Sequence, residues 1–174
     1  MIYFKYINDQ LNKPMYILSL KQECCHEPNE LVINSIQRAK KTIIACVYKF
    51  DNIYIFNALK TALERGVEIT MVMDYKKNRQ NRLAIDLKKL GANIKLWKKT
   101  DKLHAKYLIL DDTNVLTGSF NLTMENTDKT NRHKVDLIIS LYDANAISNF
   151  KNIHTDMMNV LENDVCDECV DTTF

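Results

Sequence analysis

The stretch that decides the fold of this chain, residues 104–121, reads HAKYLILDDTNVLTGSFN. The run Tyr107–Leu110 is apolar, as expected of a buried strand, and the turn-forming residues Asp111–Asn114 come directly after it. A second short apolar run then returns the chain alongside the first. We therefore predict a hairpin with strands at Ala105–Leu110 and Asn114–Thr117, which brings the residues after the second strand back to the end of the sheet where His104 lies.

Upstream of the hairpin, the order helix, glycine, strand occurs twice. Gly66 and Gly91 each follow a segment with apolar residues at helical spacing and precede a strand-like run, so each is expected to end a helix. The same reasoning predicts strands at Tyr16–Leu20, Thr42–Tyr48, Val67–Met73, Asn93–Trp97 and Val135–Leu141, and helices at Asn29–Lys40, Asn57–Arg65, Leu83–Leu90 and Ala144–Leu161. Strands this apolar need cover on both faces, so the predicted fold class is α/β, with a sheet covered by helices on both sides.

The length of 174 residues gives room for one well-buried domain. We expect that domain at residues 1–161 and an acidic tail at residues 162–174. No run of about eighteen apolar residues occurs, and the first residues lack the continuous apolar core of a secretory signal, so we expect a cytoplasmic protein without a membrane anchor. Five irregularly spaced cysteines make a poor disulfide framework. Reduced thiols are expected rather than a zinc site at Cys24, Cys25 and His26 or at Cys166 and Cys169.

Several polar side chains lie at one end of the predicted hairpin. Residues two apart in a strand share a face, so His104 and Lys106 are expected to present an imidazole and an ammonium group side by side. Gly118 lets the backbone approach a ligand closely, while Ser119 and Asn121 can donate hydrogen bonds to an oxygen. This set of donors fits an anionic centre of the size of a phosphate.

The pattern H-x-K-x4-D followed by G-S-x-N resembles the HKD signature of the phospholipase D superfamily. It is similar in particular to the small single-motif nucleases of that superfamily, which include bacterial endonucleases of about this size and Zucchini-type mitochondrial proteins. The similarity extends in outline from Ile33 to Phe150 and includes the stretches Ala39–Ile44 and Ala58–Val67. The resemblance implies one catalytic domain with a phospholipase D-like fold, in which a mixed, mostly parallel sheet has helices on both faces.

The resemblance also implies a two-step reaction at a phosphodiester that needs no metal or other cofactor. His104 would attack phosphorus to form a phosphohistidine, and a second histidine would protonate the leaving oxygen and later activate water. Lys106, Asn121 and Ser119 would hold the non-bridging oxygens. Asp111, the last residue of the H-x-K-x4-D part of the motif, would act through structural hydrogen bonds rather than carry a proton. Because this chain has one motif, the resemblance implies a homodimer whose two motifs face each other across a two-fold axis.

One position departs from the family pattern. A glutamate that orients the nucleophilic histidine usually follows the motif, but the corresponding stretch here, residues 131–136, has His133 in its place. Three alternatives follow. Asp136 or Glu125 substitutes for the glutamate, or a backbone carbonyl orients His104, or the activity is reduced. His133 and His154 are expected to be surface histidines. The position of His133 near the motif also keeps it a candidate to support the catalytic residues.

Most of the excess positive charge lies just before the motif. Formal net charge is only +2, yet the segment from Tyr75 to Lys106 holds eleven basic residues and two acidic ones. We predict that Lys76, Lys77, Arg79, Lys99 and Lys102, together with Gly118, bind a polymeric phosphate backbone. Nucleic acid, either DNA or RNA, is therefore the expected substrate. The alternatives are a hydrolase of phospholipid headgroups and a weakly active, nucleic-acid-binding homodimer.

Overall fold

The computed structural model describes residues 3–7, 15–19, 27–124 and 136–163, and the side chains of residues 29–124 and 136–162. Its strands are β1 (Tyr3–Ile7), β2 (Met15–Ser19), β3 (Thr42–Val47), β4 (Glu68–Asp74), β5 (Asn93–Trp97), β6 (Tyr107–Leu110), β7 (Asn114–Gly118) and β8 (Leu137–Leu141). Its helices are α1 (Glu27–Arg38), α2 (Ile53–Glu64), α3 (Tyr75–Asn78), α4 (Arg82–Lys89) and α5 (Ala144–Asn163). The sequence did not indicate β1 or the short α3.

The described strands form one mixed sheet in the order β1-β2-β8-β7-β6-β3-β4-β5. The α/β class and the mixed sheet are confirmed, but the expectation that parallel pairing predominates is wrong. Only β3–β4 and β4–β5 are parallel, and the other five neighbouring pairs are antiparallel. A parallel pair needs a crossover, which α2 and α4 supply, whereas the tight turn between β6 and β7 can join only antiparallel strands. An apolar strand does not encode the direction of its neighbours.

Helices cover both faces of the sheet, as predicted. Successive side chains of β3 alternate between two cores, because Ile43 and Ala45 pack on the side of α1, α2 and α4, whereas Ile44 and Cys46 pack with residues of α5. On that second side, α5 contributes the buried Ile147 and also His154, which is only 5% exposed. The expectation that His154 is a surface histidine is therefore wrong, because it lies on the inward face of an amphipathic helix.

A capping asparagine connects α2 to the functional end of the sheet. The buried Asn52 side chain accepts hydrogen bonds from Tyr54 N at 2.9 Å and Ile55 N at 3.2 Å, so α2 begins four residues before its predicted start. Its amide also donates to Asn29 Oδ1 at 3.1 Å and to Thr123 O at 3.4 Å. Asn52 thus fixes the segment that follows the G-S-x-N part of the motif against α1 and α2.

Some predictions fall outside the residues that the structure describes. They concern Cys24, Cys25, His26, Glu125, His133, Cys166 and Cys169. The last helix extends two residues beyond its predicted end at Leu161, and the remainder of the proposed acidic tail also lies outside the described residues. None of the described helices combines the length and apolar composition that a membrane span requires.

Candidate active site

The imidazole of His104 and the ammonium group of Lys106 are neighbours. Lys106 Nζ lies 3.5 Å from His104 Nε2 and donates a hydrogen bond to His104 O at 2.8 Å. Both residues precede β6, which begins at Tyr107 rather than at the predicted Ala105. The hydrogen bond from Thr117 Oγ1 to Lys106 O, at 2.9 Å, fixes this segment to the end of β7. The side-by-side arrangement predicted from the sequence is therefore present, although the residues lie outside the strand.

A cavity beside this pair brings the two halves of the motif together. Lys106, Gly118 and Asn121 line it, with Tyr48 and Thr117 and an apolar floor that includes Cys46. His104 is not a lining residue, but its ring lies beside Tyr48 and Lys106, which are. Burial raises the pKa of the Cys46 thiol to about 12, so Cys46 remains a neutral core residue.

Tyr48 is a residue of the site that the sequence analysis missed. It follows β3 directly, and its ring meets the His104 imidazole edge-on, with centroids 4.7 Å apart and an interplanar angle of 64°. Lys102, Lys106 and Lys77 all place Nζ near the ring, at 4.6, 5.4 and 5.8 Å from its centroid. The antiparallel pairing of β3 with β6 places the end of β3 beside the start of β6, and no local sequence pattern indicates that pairing.

Neighbouring charge and burial lower the pKa of both His104 and Lys106. The ammonium of Lys106 is the main cause that lowers the pKa of His104, with smaller contributions from burial and Lys102, and opposed by Asp74. Burial is the main cause that lowers the pKa of Lys106. The imidazole is therefore neutral at neutral pH, which leaves it a lone pair for attack on an electrophile.

Gly118 is required by the sheet itself. Its φ is 151°, and a Cβ at this position would lie 1.9 Å from the Leu137 carbonyl oxygen of β8. The glycine was predicted to let a ligand approach the backbone. Gly118 does line the cavity, but the close approach that demands glycine is made by the neighbouring strand.

Ser119 and Asp136 bind each other. Ser119 Oγ donates to Asp136 Oδ1 at 2.8 Å and accepts from Leu137 N at 2.9 Å. The single hydroxyl proton of Ser119 is thus directed at a carboxylate in this structure, and not at the cavity that Lys106 and Asn121 line. The described contact of the Asp136 carboxylate is with Ser119, and no hydrogen bond joins it to His104 in the part of the chain that the structure describes.

Asp111 lies at the far end of β6 from Lys106. Its carboxylate accepts hydrogen bonds from the backbone N–H groups of Lys41 at 2.7 Å, Lys40 at 2.8 Å and Thr42 at 3.0 Å. Burial alone would raise the pKa of Asp111, but these three bonds lower it below its ordinary value. The structure does not bring Asp111 to the candidate catalytic residues, and its contacts are those of an anchor between β6 and β3.

Asp74 is a second residue that the sequence analysis missed. It is the last residue of β4 and only 3% exposed. One carboxylate oxygen accepts from Lys77 N at 3.0 Å, and the other accepts from Leu103 N at 3.3 Å. Asp74 therefore fixes the start of α3 and the residue before His104, and its negative charge acts on the imidazole.

The predicted basic residues, apart from Lys99, fall into two groups that share Lys77. Lys77 and Lys102 lie at the Tyr48 ring, next to the reacting pair. Lys76 and Arg79 line a shallow groove that continues from α3, together with Lys49 and Lys77. Lys99 lies in the segment between β5 and β6, three residues before Lys102. Among the described residues, no group of three or more His, Cys, Asp or Glu side chains is placed to hold a metal ion.

Known proteins are similar to this chain in sequence and in fold. Residues 32–158 match the family model described as cardiolipin synthase, PLD-like domain. A phospholipase D of Rickettsia felis is 29% identical over 127 residues, which is 70% of this chain and 63% of the relative. The mitochondrial cardiolipin hydrolase of Drosophila melanogaster is 29% identical over 97 residues, which is 51% of this chain and 37% of the relative. This chain thus spans less than two thirds of the length of these curated relatives.

Two solved structures have the same fold. The phospholipase D family member Nuc from Salmonella typhimurium superposes with a TM-score of 0.70 at 23% identity, over 83% of this chain and 95% of Nuc. NucT from Helicobacter pylori superposes with a TM-score of 0.72 at 20% identity, over 85% of this chain and 97% of NucT. Both superpositions cover nearly the whole of the solved chain.

Proposed function

Because this chain belongs to the phospholipase D-like family, we propose that it is a metal-independent phosphodiesterase that cleaves nucleic acid. The observation that carries the proposal is the 3.5 Å separation between Lys106 Nζ and His104 Nε2 beside a cavity that Asn121 also lines. A phosphate oxygen bound by Lys106 lies next to the imidazole nitrogen that would attack phosphorus. Reacting atoms held in such proximity need little further ordering.

The proposed reaction has two steps. In the first, His104 Nε2 forms a bond to phosphorus, the bond from phosphorus to the leaving oxygen breaks, and that oxygen takes a proton from a general acid. In the second, water attacks phosphorus and gives its proton to the same group, now a general base, while the bond from phosphorus to His104 Nε2 breaks and releases the imidazole. Lys106 and Asn121 hold the non-bridging oxygens while negative charge redistributes over them. Ser119 supports this arrangement indirectly, because it joins the G-S-x-N part of the motif to Asp136 and β8.

A second copy of this chain would supply the general acid. Within the described residues, the side chain of His104 contacts Tyr48 and Lys106, and the one other described histidine, His154, is buried with Tyr107. A single copy therefore presents one imidazole at the site in the part of the chain that the structure describes. A homodimer with two facing motifs would place the second imidazole on the leaving-group side.

The surface charge favours nucleic acid as the substrate. Lys76, Lys77 and Arg79 line a groove that Lys77 connects to the Tyr48 ring, and Lys49 also lines it, paired with Asp51 at 3.3 Å. A groove of this kind fits a chain of phosphates, whose binding depends on the number of charges neutralised. A single lipid headgroup would leave most of the groove unused.

Phospholipid is the second candidate substrate class. It is favoured by the names of the relatives, phospholipase D in Rickettsia felis and cardiolipin hydrolase in Drosophila melanogaster. The reacting pair would serve both substrates, since both are phosphodiesters. The basic groove makes nucleic acid the better candidate.

The test is cleavage of end-labelled single- and double-stranded DNA and RNA in EDTA. Wild type is compared with His104→Ala and with Lys60→Ala, a matched control on the exposed face of α2. We expect cleavage by wild type and Lys60→Ala and none by His104→Ala. Cleavage that survives in His104→Ala, or binding without cleavage by wild type, contradicts the proposal. Phosphatidylglycerol vesicles in parallel assays test the lipid candidate.

A further inference from the structure

Three lysines from three separate segments converge on one aromatic ring. Lys77 comes from α3, Lys102 from the segment between β5 and β6, and Lys106 from the motif, and each places Nζ within 5.8 Å of the Tyr48 ring centroid. The face of an aromatic ring attracts cations, which offsets part of their mutual repulsion. Tyr48 therefore holds together a group of like charges that would otherwise separate.

The lysines differ in how they meet Tyr48. Lys102 and Lys77 lower the pKa of the Tyr48 hydroxyl, and hydrogen bonding from Lys102 is the main cause. Lys106 instead lies beside His104 Nε2. The cluster thus has two parts, one at the tyrosine hydroxyl and one at the reacting imidazole.

Nearby carboxylates leave the ammonium groups of Lys77 and Lys102, the two lysines at the Tyr48 hydroxyl, available to a ligand. The two oxygens of Asp74 accept from the backbone N–H groups of Lys77 and Leu103. In the described part of the chain, neither the Lys77 nor the Lys102 ammonium group forms an ion pair with a carboxylate. Each lysine ammonium carries three donors, so this part of the cluster can bind an anion of its own.

One phosphodiester, with a single negative charge, is already matched by Lys106, Asn121 and His104. We propose that Tyr48, Lys77 and Lys102 form a second phosphate subsite beside the reacting pair, so that the preferred substrate carries two neighbouring phosphates. The inference rests on the proposed function, because it takes the phosphate at His104 as the one attacked. Tyr48 acts here as a positioning residue, since it orients the two lysines that contact the second phosphate.

Two neighbouring phosphates occur in a nucleic-acid strand and also in a phospholipid with two phosphates. The strand is the source favoured by the basic groove, since Lys77 belongs both to the groove and to the subsite. Substrates that differ by one phosphate separate these sources. They are dithymidine with one internal phosphodiester, the same dinucleotide with an added 5′- or 3′-phosphate, and vesicles of phosphatidylglycerol or of diphosphatidylglycerol.

The experiment measures kcat/KM for each substrate at low salt, and the dissociation constant of each dinucleotide for His104→Ala. We expect one phosphorylated dinucleotide to be preferred over dithymidine by about tenfold, the effect of one charge-assisted contact. Tyr48→Leu should reduce that preference to less than about threefold, whereas Tyr48→Phe, which keeps the ring, should retain more of it. Lys60→Ala should leave the preference as in wild type.

Each outcome decides a separate point. Equal kcat/KM with and without the added phosphate, or a preference that survives Tyr48→Leu, overturns the subsite while the phosphodiesterase proposal stands. No cleavage of any substrate overturns the proposed function, and the dissociation constants then decide the subsite alone. A preference for diphosphatidylglycerol over phosphatidylglycerol that Tyr48→Leu removes supports the subsite with phospholipid as its source.

Discussion

The contacts of Asp111 predict a large loss of stability on truncation. Asp111→Ala removes the acceptor for three backbone N–H groups, those of Lys40, Lys41 and Thr42. A hydrogen bond to a charged group contributes about 1.5–3 kcal/mol, but water can replace the acceptor at the two exposed positions. We therefore expect a decrease of about 2–4 kcal/mol in the free energy of unfolding, or roughly 5–15 °C in Tm for a domain of this size.

The neighbouring aspartate provides a matched control. Asp112 has the same left-handed backbone, with φ of 56° against 52° for Asp111, so alanine introduces similar strain at both positions. Among the described residues, the Asp112 carboxylate makes only an exposed ion pair with Lys151 at 2.6 Å, which contributes about 0–1 kcal/mol. The difference between Asp111→Ala and Asp112→Ala thus isolates the three backbone hydrogen bonds.

The assay is urea unfolding of both variants and wild type, repeated across a range of pH. Because the folded-state pKa of Asp111 is lowered from an unfolded value of about 3.9, its contribution is fully present above that value and is lost as the pH falls through the folded pKa. The gap between the two variants should therefore narrow in strong acid. A gap below about 1 kcal/mol at pH 7 would refute the assignment of Asp111 as an anchor.

Three further predictions concern the motif and the core. Gly118→Ala should destabilise the protein by at least about 3 kcal/mol in urea unfolding, because its Cβ would overlap the Leu137 carbonyl; a loss below about 1 kcal/mol would contradict this. Burial lowers the pKa of His154 to about 4. The free energy of unfolding should therefore fall by on the order of 2 kcal/mol as the pH drops from about 6.5 toward 4. In acid titrations followed by circular dichroism, His154→Leu should remove that dependence. Lys106→Met should lower kcat/KM by about a hundredfold or more and shift the acidic limb of the pH–rate profile to higher pH, because the Lys106 ammonium lowers the pKa of His104; an unshifted limb would contradict the electrostatic coupling.

The local pattern of the sequence was sufficient to predict the hairpin that carries the site. Glycine stops, turn residues and apolar runs act over a few residues, and the structure has the helix-ending Gly66 and Gly91 at φ of 85° and 105°. The strand at Asn93–Trp97 has its predicted bounds. The adjacency of His104 and Lys106 followed from their spacing alone.

The remaining features depend on contacts between distant segments. Tyr48 follows the end of β3 and Asp74 is the last residue of β4, and only the order of the strands in the sheet brings them to His104. The requirement for glycine at position 118 comes from the passage of β8, which the local sequence cannot reveal. The engagement of Ser119 by Asp136 likewise joins residues 17 apart, across a segment outside the described residues.

The most direct test of the central claim is the detection of a phosphorylated His104. A 32P-labelled oligonucleotide is mixed with the protein in EDTA, the reaction is stopped in denaturant at alkaline pH, and the labelled peptide is identified by mass spectrometry. We expect an acid-labile label on His104 that is absent from His104→Ala and still present in Lys60→Ala. Cleavage of the oligonucleotide with no label on His104, or with a label on another residue, would contradict it.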